Sequence, residues 1–125
     1  MVQTGIDKLR HKAQFQRGLD QSVVARSPHF ALHGALPTAN DPAGPRQIGA
    51  VIPKRWAKRA VTRNTIRRQI YQAWFEWSDQ LPCGTHVVRL RQGFAAHQFL
   101  SATSMHLKHA VRQELNQLFA QRAQS

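Results

Sequence analysis

Residues 54–68 read KRWAKRAVTRNTIRR and hold seven of the eighteen lysines and arginines in the 125-residue chain. No aspartate or glutamate lies between Asp41 and Glu76, so nothing in this stretch neutralises the charge. Apolar residues at helical spacing follow at once, so the basic residues lead into a folded helix rather than a disordered tail. The stretch therefore predicts a rigid surface that binds a polyanion.

The helical pattern separates this segment into two faces. At about 100° per residue from Arg63, the apolar residues occupy one arc: Ile66, Ile70, Ala73, Trp74 and Trp77. The neighbouring arc carries Asn64, Arg67, Arg68 and Tyr71. We expect a helix from about residue 58–60 to 77–78, with its apolar face in the core and Arg63 projecting past the packed region.

The rest of the chain alternates between strand and helix patterns. We expect a helix over 7–19 capped by Asp7, strands over 22–26, 29–33, 47–52 and 86–90, and a last helix over about 101–122. Residues 34–46, rich in proline and glycine, are predicted to form a flexible loop, and 122–125 a disordered tail. This order predicts one α/β (α+β) sandwich domain over 1–125, with about three helices on a small, mixed or mostly antiparallel sheet.

Composition narrows the class of partner. The formal net charge of +12 favours a partner with many phosphates, with nucleic acid the first candidate and an anionic membrane the second. Cys83 is the single cysteine, so the fold does not depend on an internal disulfide. No stretch approaches the roughly 20 apolar residues that span a bilayer. We expect a cytoplasmic protein that does not insert into membranes.

Residues with catalytic or metal-binding chemistry are scattered. His106 and His109 are three apart on a predicted helix, but no neighbouring carboxylate or cysteine completes a zinc site. Cys83 and the histidines form no nucleophile–base pair by spacing, and the six acids form no evident carboxylate pair. We therefore expect no catalytic residues and no protein metal site.

The spacing of the basic segment resembles the signature of the bacterial ribonuclease P protein component. The matching residues are Lys54-Arg55, Lys58-Arg59-Ala60 and Arg63-Asn64-Thr65-Ile66-Arg67-Arg68. Leu9-Arg10, Phe15-Gln16, Ser27-Pro28 with Phe30, and the apolar strand after Gly84 extend the resemblance over nearly the whole chain. It implies the fold of the second domain of ribosomal protein S5, with a left-handed βαβ crossover.

The resemblance also implies a function. In that family a small protein, one per RNA subunit, binds a catalytic RNA, and the RNA with its Mg²⁺ ions removes the 5′ leader of precursor tRNA. The positions that match the RNA-contacting signature are Lys54, Arg55, Lys58, Arg59, Arg63, Asn64, Arg67 and Arg68. The positions assigned to a cleft for the single-stranded leader are Lys8, Arg10, Phe15, His33 and Arg89.

Several positions keep two interpretations. Asn64 can contact RNA or brace the basic loop, and Phe15 can stack on a leader base or pack in the core. Leu19, His33 and Tyr71 depart from residues common in the family: a second aromatic, a tyrosine and a basic residue, respectively.

Three other classes of protein fit parts of the pattern. A structural RNA-binding protein of ribosomal type shares the size, the charge and a small α/β sheet. A DNA-binding regulator would insert the basic helix into the major groove, but the preceding strand and loop do not resemble a helix-turn-helix. A membrane-surface helix would need Trp74 and Trp77 to face the lipid, whereas both lie on the apolar stripe that the core requires.

Overall fold

The computed structural model describes residues 7–34, 46–81, 84–94 and 105–124. Three helices and five strands follow in the order β1 (Asp7–Lys8), α1 (Lys12–Leu19), β2 (Val23–Arg26), β3 (Phe30–Gly34), β4 (Arg46–Val51), α2 (Ala60–Trp77), β5 (Gly84–Leu90) and α3 (Met105–Gln124). A single 3₁₀ turn, Ser78–Gln80, ends α2. The predicted α+β class with three helices is confirmed.

One mixed sheet holds all five strands, in the order β1-β4-β5-β3-β2. β4 pairs in parallel with both β1 and β5, whereas β3 pairs antiparallel with β5 and β2. Since β4 and β5 are parallel neighbours, the chain between them must return along the sheet, and α2 makes that return. The hand of this crossover stays a prediction from the family resemblance.

The sheet has two different faces, because successive residues of a strand point to opposite sides. On one face, strand residues pack under α2 and α3 in a single apolar cluster. The fully buried members include Phe30, Leu32, Ile48, Val88 and Leu90 from the strands, Ile66, Ile70 and Trp74 from α2, and Val111, Leu115, Leu118 and Phe119 from α3. The apolar stripe predicted for α2 therefore lies in the core.

Among the described residues, the helix that packs on the opposite face is the eight-residue α1. Two glycines allow this helix to approach: a Cβ at Gly18 would lie 2.3 Å from the side chain of Val87, and one at Gly49 would lie 2.7 Å from the Phe15 ring and 2.8 Å from Leu9. Real Cβ atoms essentially never make contacts this short, so both positions require glycine, which has no side chain.

A buried polar pair lies where α3 crosses the sheet. His86 is 0% exposed and Arg122 is 2% exposed, and the Arg122 Nε–H donates to His86 Nε2 over 3.2 Å. Burial, reinforced by the Arg122 charge, lowers the pKa of His86 to about 4. His86 is therefore neutral in the folded protein at physiological pH.

Glu114 of α3 binds the turn between β2 and β3. One carboxylate oxygen accepts the Ser27 hydroxyl at 2.6 Å and the His29 backbone N–H at 3.0 Å, and the other lies 2.5 Å from His29 Nδ1. The His29 ring also stacks on Phe94 with a centroid separation of 3.9 Å. A half-buried carboxylate with this many donors fixes α3 against the sheet.

Two expected boundaries are wrong. α1 begins at Lys12 after His11, not at Asp7, because Asp7 and Lys8 pair with β4 and the Gln14 side chain accepts the backbone N–H groups of residues 10 and 11. The predicted disordered tail is helical as far as Gln124, because Arg122 is buried against His86. Most of the predicted 34–46 loop, together with Cys83 and residue 101 where the last helix was expected to begin, lies outside the described residues.

The His86 pair predicts a pH dependence of stability. In the unfolded chain His86 takes up a proton near pH 6.5, whereas in the folded chain it does so near pH 4. As the pH falls through this window, the unfolded state gains protons first, so the free energy of unfolding should drop by about 3 kcal/mol from this residue. His86→Gln keeps a hydrogen-bond acceptor for Arg122 but cannot titrate.

Urea unfolding of both proteins between pH 7 and pH 4 measures this difference. The wild type should lose stability more steeply than His86→Gln, with the gap changing mainly between pH 6.5 and 4. Parallel curves for the two proteins over that window would contradict the assignment.

Candidate nucleic-acid interface

The basic loop that follows β4 is a compact turn rather than a flexible arm. Backbone N–H groups of Trp56 and Ala57 both donate to the Pro53 carbonyl, at 3.0 and 3.2 Å, and Ala57 is buried. A Cβ at Gly93 would lie 2.7 Å from the Trp56 carbonyl oxygen, so the loop also lies close against the segment after β5. The basic side chains of the loop, Lys54, Arg55, Lys58 and Arg59, are all exposed.

Arg63 braces this loop. Its Nη1 donates to the carbonyls of Ala57 and Lys58, at 3.0 and 2.9 Å. The sequence-based expectation that Arg63 projects past the packed region is therefore wrong, since the guanidinium turns back over the preceding loop. Its charge stays at the surface, but its hydrogen bonds fix the angle at which the chain enters α2.

The basic face of α2 continues beyond the loop. Arg67 Nη1 donates to Asn64 Oδ1 over 3.0 Å, and both Asn64 and Arg68 are exposed. The first turn of α2 has no acidic residue. Because a helix N-terminus carries a partial positive charge, basic residues there repel it, and a bound phosphate would relieve the repulsion. The fold brings these residues onto one surface, where Asn64 orients the guanidinium of Arg67 on the same helix.

A groove of about 490 Å³ runs beside this face, lined by Lys8, Asn64, Arg67, Arg68, Tyr71, Gln72 and Phe75. The ammonium of Lys8, from β1, lies 4.5 Å from the centre of the Tyr71 ring. Burial raises the pKa of Tyr71, against the lowering effects of the Arg67 charge and of a hydrogen bond with the Ala50 backbone. Lys8 thus lies with the α2 residues and not with the cleft to which sequence reasoning assigned it.

The other predicted cleft residues lie near α1. Phe15 is half-buried over Gly49, and His33 and Arg89 share the face of the sheet on which α1 packs. His33 is only 7% exposed: its Nδ1–H donates to the Gln21 carbonyl at 3.1 Å, and its Nε2 accepts from Arg89 Nε at 3.2 Å. His33 therefore holds Arg89 in place rather than offering a free ring. Arg10, exposed, precedes α1.

Two aromatic residues of the groove were not assigned to RNA contact from the sequence. Helical spacing places Tyr71 on the basic arc, and the family resemblance marks it as a departure; neither assigns a role to Phe75. At 100° per residue Phe75 falls in the same arc as Arg68, and it lies four residues after Tyr71. Helical spacing alone therefore places Phe75 on the basic arc.

The described residues also bear on two other kinds of partner, a metal ion and a membrane. In the four described ranges, no group of three or more His, Cys, Asp or Glu side chains is placed to hold a metal ion. Over the same ranges, none of the helices combines the length and the apolar character needed to cross a membrane.

Comparisons with known proteins agree on one family. The family model described as Ribonuclease P matches residues 5–121. The Ribonuclease P protein component of Bordetella parapertussis is 35% identical over 115 residues, covering 90% of this chain and 88% of that protein. The corresponding protein of Ralstonia pickettii is 38% identical over 97 residues, covering 77% of this chain and 64% of that protein.

Solved structures give the same result for the fold. A structure of the RNase P protein from Staphylococcus aureus superimposes with a TM-score of 0.68 at 18% identity, covering 98% of this chain and 94% of that one. A second structure of the S. aureus protein gives a TM-score of 0.67 at 16% identity, covering 93% and 94% of the two chains. At these identities the likeness concerns the fold alone.

The bracing role of Arg63 predicts a loss of stability in the free protein. Arg63→Ala removes two hydrogen bonds from a charged donor, and should lower the free energy of unfolding by about 1–2 kcal/mol. Arg68→Ala, at an exposed position of the same face, should change it by less than about 0.5 kcal/mol. Denaturant unfolding without RNA compares the two variants, and equal effects would contradict the brace.

Proposed function

Because the chain belongs to the ribonuclease P protein family, we propose that it binds the catalytic RNA through the basic loop and α2, and the 5′ leader of precursor tRNA beside α1. Membership makes it the protein component of an endoribonuclease that matures the 5′ end of tRNA. The two surfaces, and the substrate contact that each provides, are our proposal.

The proposed contact with the catalytic RNA is supported by the cationic surface of the loop and α2, which no acidic residue interrupts. Protein surfaces normally mix both charge signs, yet no acid occurs between Asp41 and Glu76. Arginine guanidinium groups bind phosphates bidentately and also stack on bases, which suits an irregular RNA. The residues proposed to contact the catalytic RNA are Lys54, Arg55, Lys58, Arg59, Asn64, Arg67 and Arg68, with Lys8 added and Arg63 acting mainly by bracing the loop.

The second contact uses the face of the sheet on which α1 packs. Phe15 offers a half-buried ring fixed over Gly49, and Arg89 offers a guanidinium oriented by His33. A ring and a cation on a shared face suit one extended strand of nucleotides, since bases stack on rings and phosphates bind cations. Arg10, which is exposed, is proposed to contribute charge at the start of α1.

In this proposal the RNA subunit, and not the protein, catalyses cleavage of the precursor tRNA. Mg²⁺ keeps several of its waters and binds phosphate oxygens readily, so RNA phosphates are proposed to hold the ions. The protein contributes by neutralising charge where catalytic RNA and precursor tRNA approach each other. One protein monomer per RNA subunit is proposed.

Reconstitution with the cognate catalytic RNA tests this function. The protein, the RNA and their mixture are each incubated with precursor tRNA at physiological salt and limiting Mg²⁺, and release of the 5′ leader is followed. Faster cleavage by the mixture than by RNA alone supports the proposal. Binding without faster cleavage would favour a structural RNA-binding protein, and cleavage by the protein alone would overturn the assignment of the chemistry to RNA.

The proposed contact between Phe15 and the leader predicts a binding defect that is specific to precursor tRNA. Phe15→Leu keeps apolar packing over Gly49 but removes the ring on which a base could stack. Because one stacked base contributes roughly 1–3 kcal/mol, the holoenzyme should bind precursor tRNA about five- to a hundredfold more weakly. Affinity for mature tRNA, which lacks the leader, should not change, and an equal loss for both RNAs would contradict the placement.

A further inference from the structure

Phe75 is an exposed aromatic side chain on an otherwise polar and cationic face. Its side chain is 60% exposed, against 37% for Trp56, and it lies on the arc of α2 that carries Arg68 rather than on the buried stripe. An exposed phenylalanine keeps apolar area in water at a cost of roughly 25 cal/mol per Å². Packing within the domain therefore does not account for this residue.

The groove beside Phe75 combines a ring surface with cations. Tyr71, one turn earlier, is half-buried and has the Lys8 ammonium 4.5 Å from its ring centre. Arg67 and Arg68 contribute two guanidinium groups to the same groove. Its volume of about 490 Å³ lies in the range of ligand-binding clefts.

The charges around the groove favour a nucleotide over a protein as its ligand. The nearest acid along the helix, Glu76, is held on the other side by Arg112 of α3, with Nη1 3.1 Å from one carboxylate oxygen. A protein partner would need acidic side chains to match the arginines and an apolar residue for Phe75. A nucleotide supplies both from one unit, since its phosphate is anionic and its base has a flat π-face.

We propose that Phe75, with Tyr71 as the neighbouring wall, forms a stacking subsite for one unpaired nucleotide of the RNA that α2 binds. Lys8, Arg67 and Arg68 bind the adjoining phosphates. This inference rests on the proposed function, and it extends the RNA surface about two turns of α2 past Arg68. The base must be unpaired and turned outward, because a base inside a helix exposes no face for stacking.

Equilibrium binding to the cognate catalytic RNA over a series of salt concentrations tests the subsite. Phe75→Ala should weaken binding by roughly five- to a hundredfold at every salt concentration, with the slope of log affinity against log salt unchanged. Phe75→Trp should restore affinity. Arg68→Gln should instead lower the salt slope by about one, because it removes a phosphate contact.

Met105→Ala is the matched control, since Met105 is also an exposed apolar side chain, at 75%, but lies on α3. The affinity of the Met105→Ala variant for the RNA should equal that of the wild type. Because Phe75 is exposed, Phe75→Ala should unfold at the same denaturant concentration as the wild type, which separates loss of binding from loss of folding.

Chemical probing of the RNA bases provides the second readout. One unpaired base should be protected by the wild type and by Phe75→Trp, and become reactive with Phe75→Ala. Unchanged affinity and protection in Phe75→Ala would overturn the subsite, as would a loss of affinity accompanied by a changed salt slope. If the wild-type protein itself does not bind the RNA, the proposed function fails, which is a different result.

Discussion

Parallel pairing between β4 and β5 is the constraint on which the rest of the structure depends. Two parallel neighbours cannot be joined by a short turn, so the chain leaving β4 must travel back along the sheet. The 18 residues of α2, about 27 Å long, make this return over the sheet. The basic loop and the first turn of α2 consequently lie at the end of β4, and the basic face runs from there along one side of the domain.

The core compensates for the repulsion that this arrangement concentrates. Seven cations in fifteen residues disfavour a compact state. Ile66, Ile70 and Trp74 on the buried side of the same helix are removed from water, and each large apolar side chain contributes roughly 1.5–3 kcal/mol when fully buried. One helix thus joins a strongly stabilising face to a strongly repelling one, and a bound polyanion relieves the repulsion without disturbing the buried face.

Local patterns in the sequence predicted the helices and strands. Contacts between residues far apart in the chain determine several element ends and side-chain positions, which local patterns do not reveal. The apolar stripe and the basic arc of α2 follow from helical spacing, so both were predicted correctly. The local pattern predicts Asp7 to be a helix cap, whereas the structure pairs it with Gln47, forty residues away, a contact that local patterns do not reveal. The helical end at Arg122 depends on His86 of β5, and the position of Lys8 depends on the Tyr71 ring of α2. Arg63 was misplaced because its partners are backbone carbonyls, which sequence patterns do not reveal.

The difference between the two faces of the sheet also bears on how reliably the chain folds. In β3, Phe30 and Leu32 face the core, whereas Ala31 and His33 face α1. A slip of β3 by one residue against β5 would exchange these sets. It would bring His33 under α2 and α3 and expose two large apolar side chains. A misregistered sheet is therefore disfavoured by His33, the same residue that orients Arg89, so this face helps to specify a unique strand alignment.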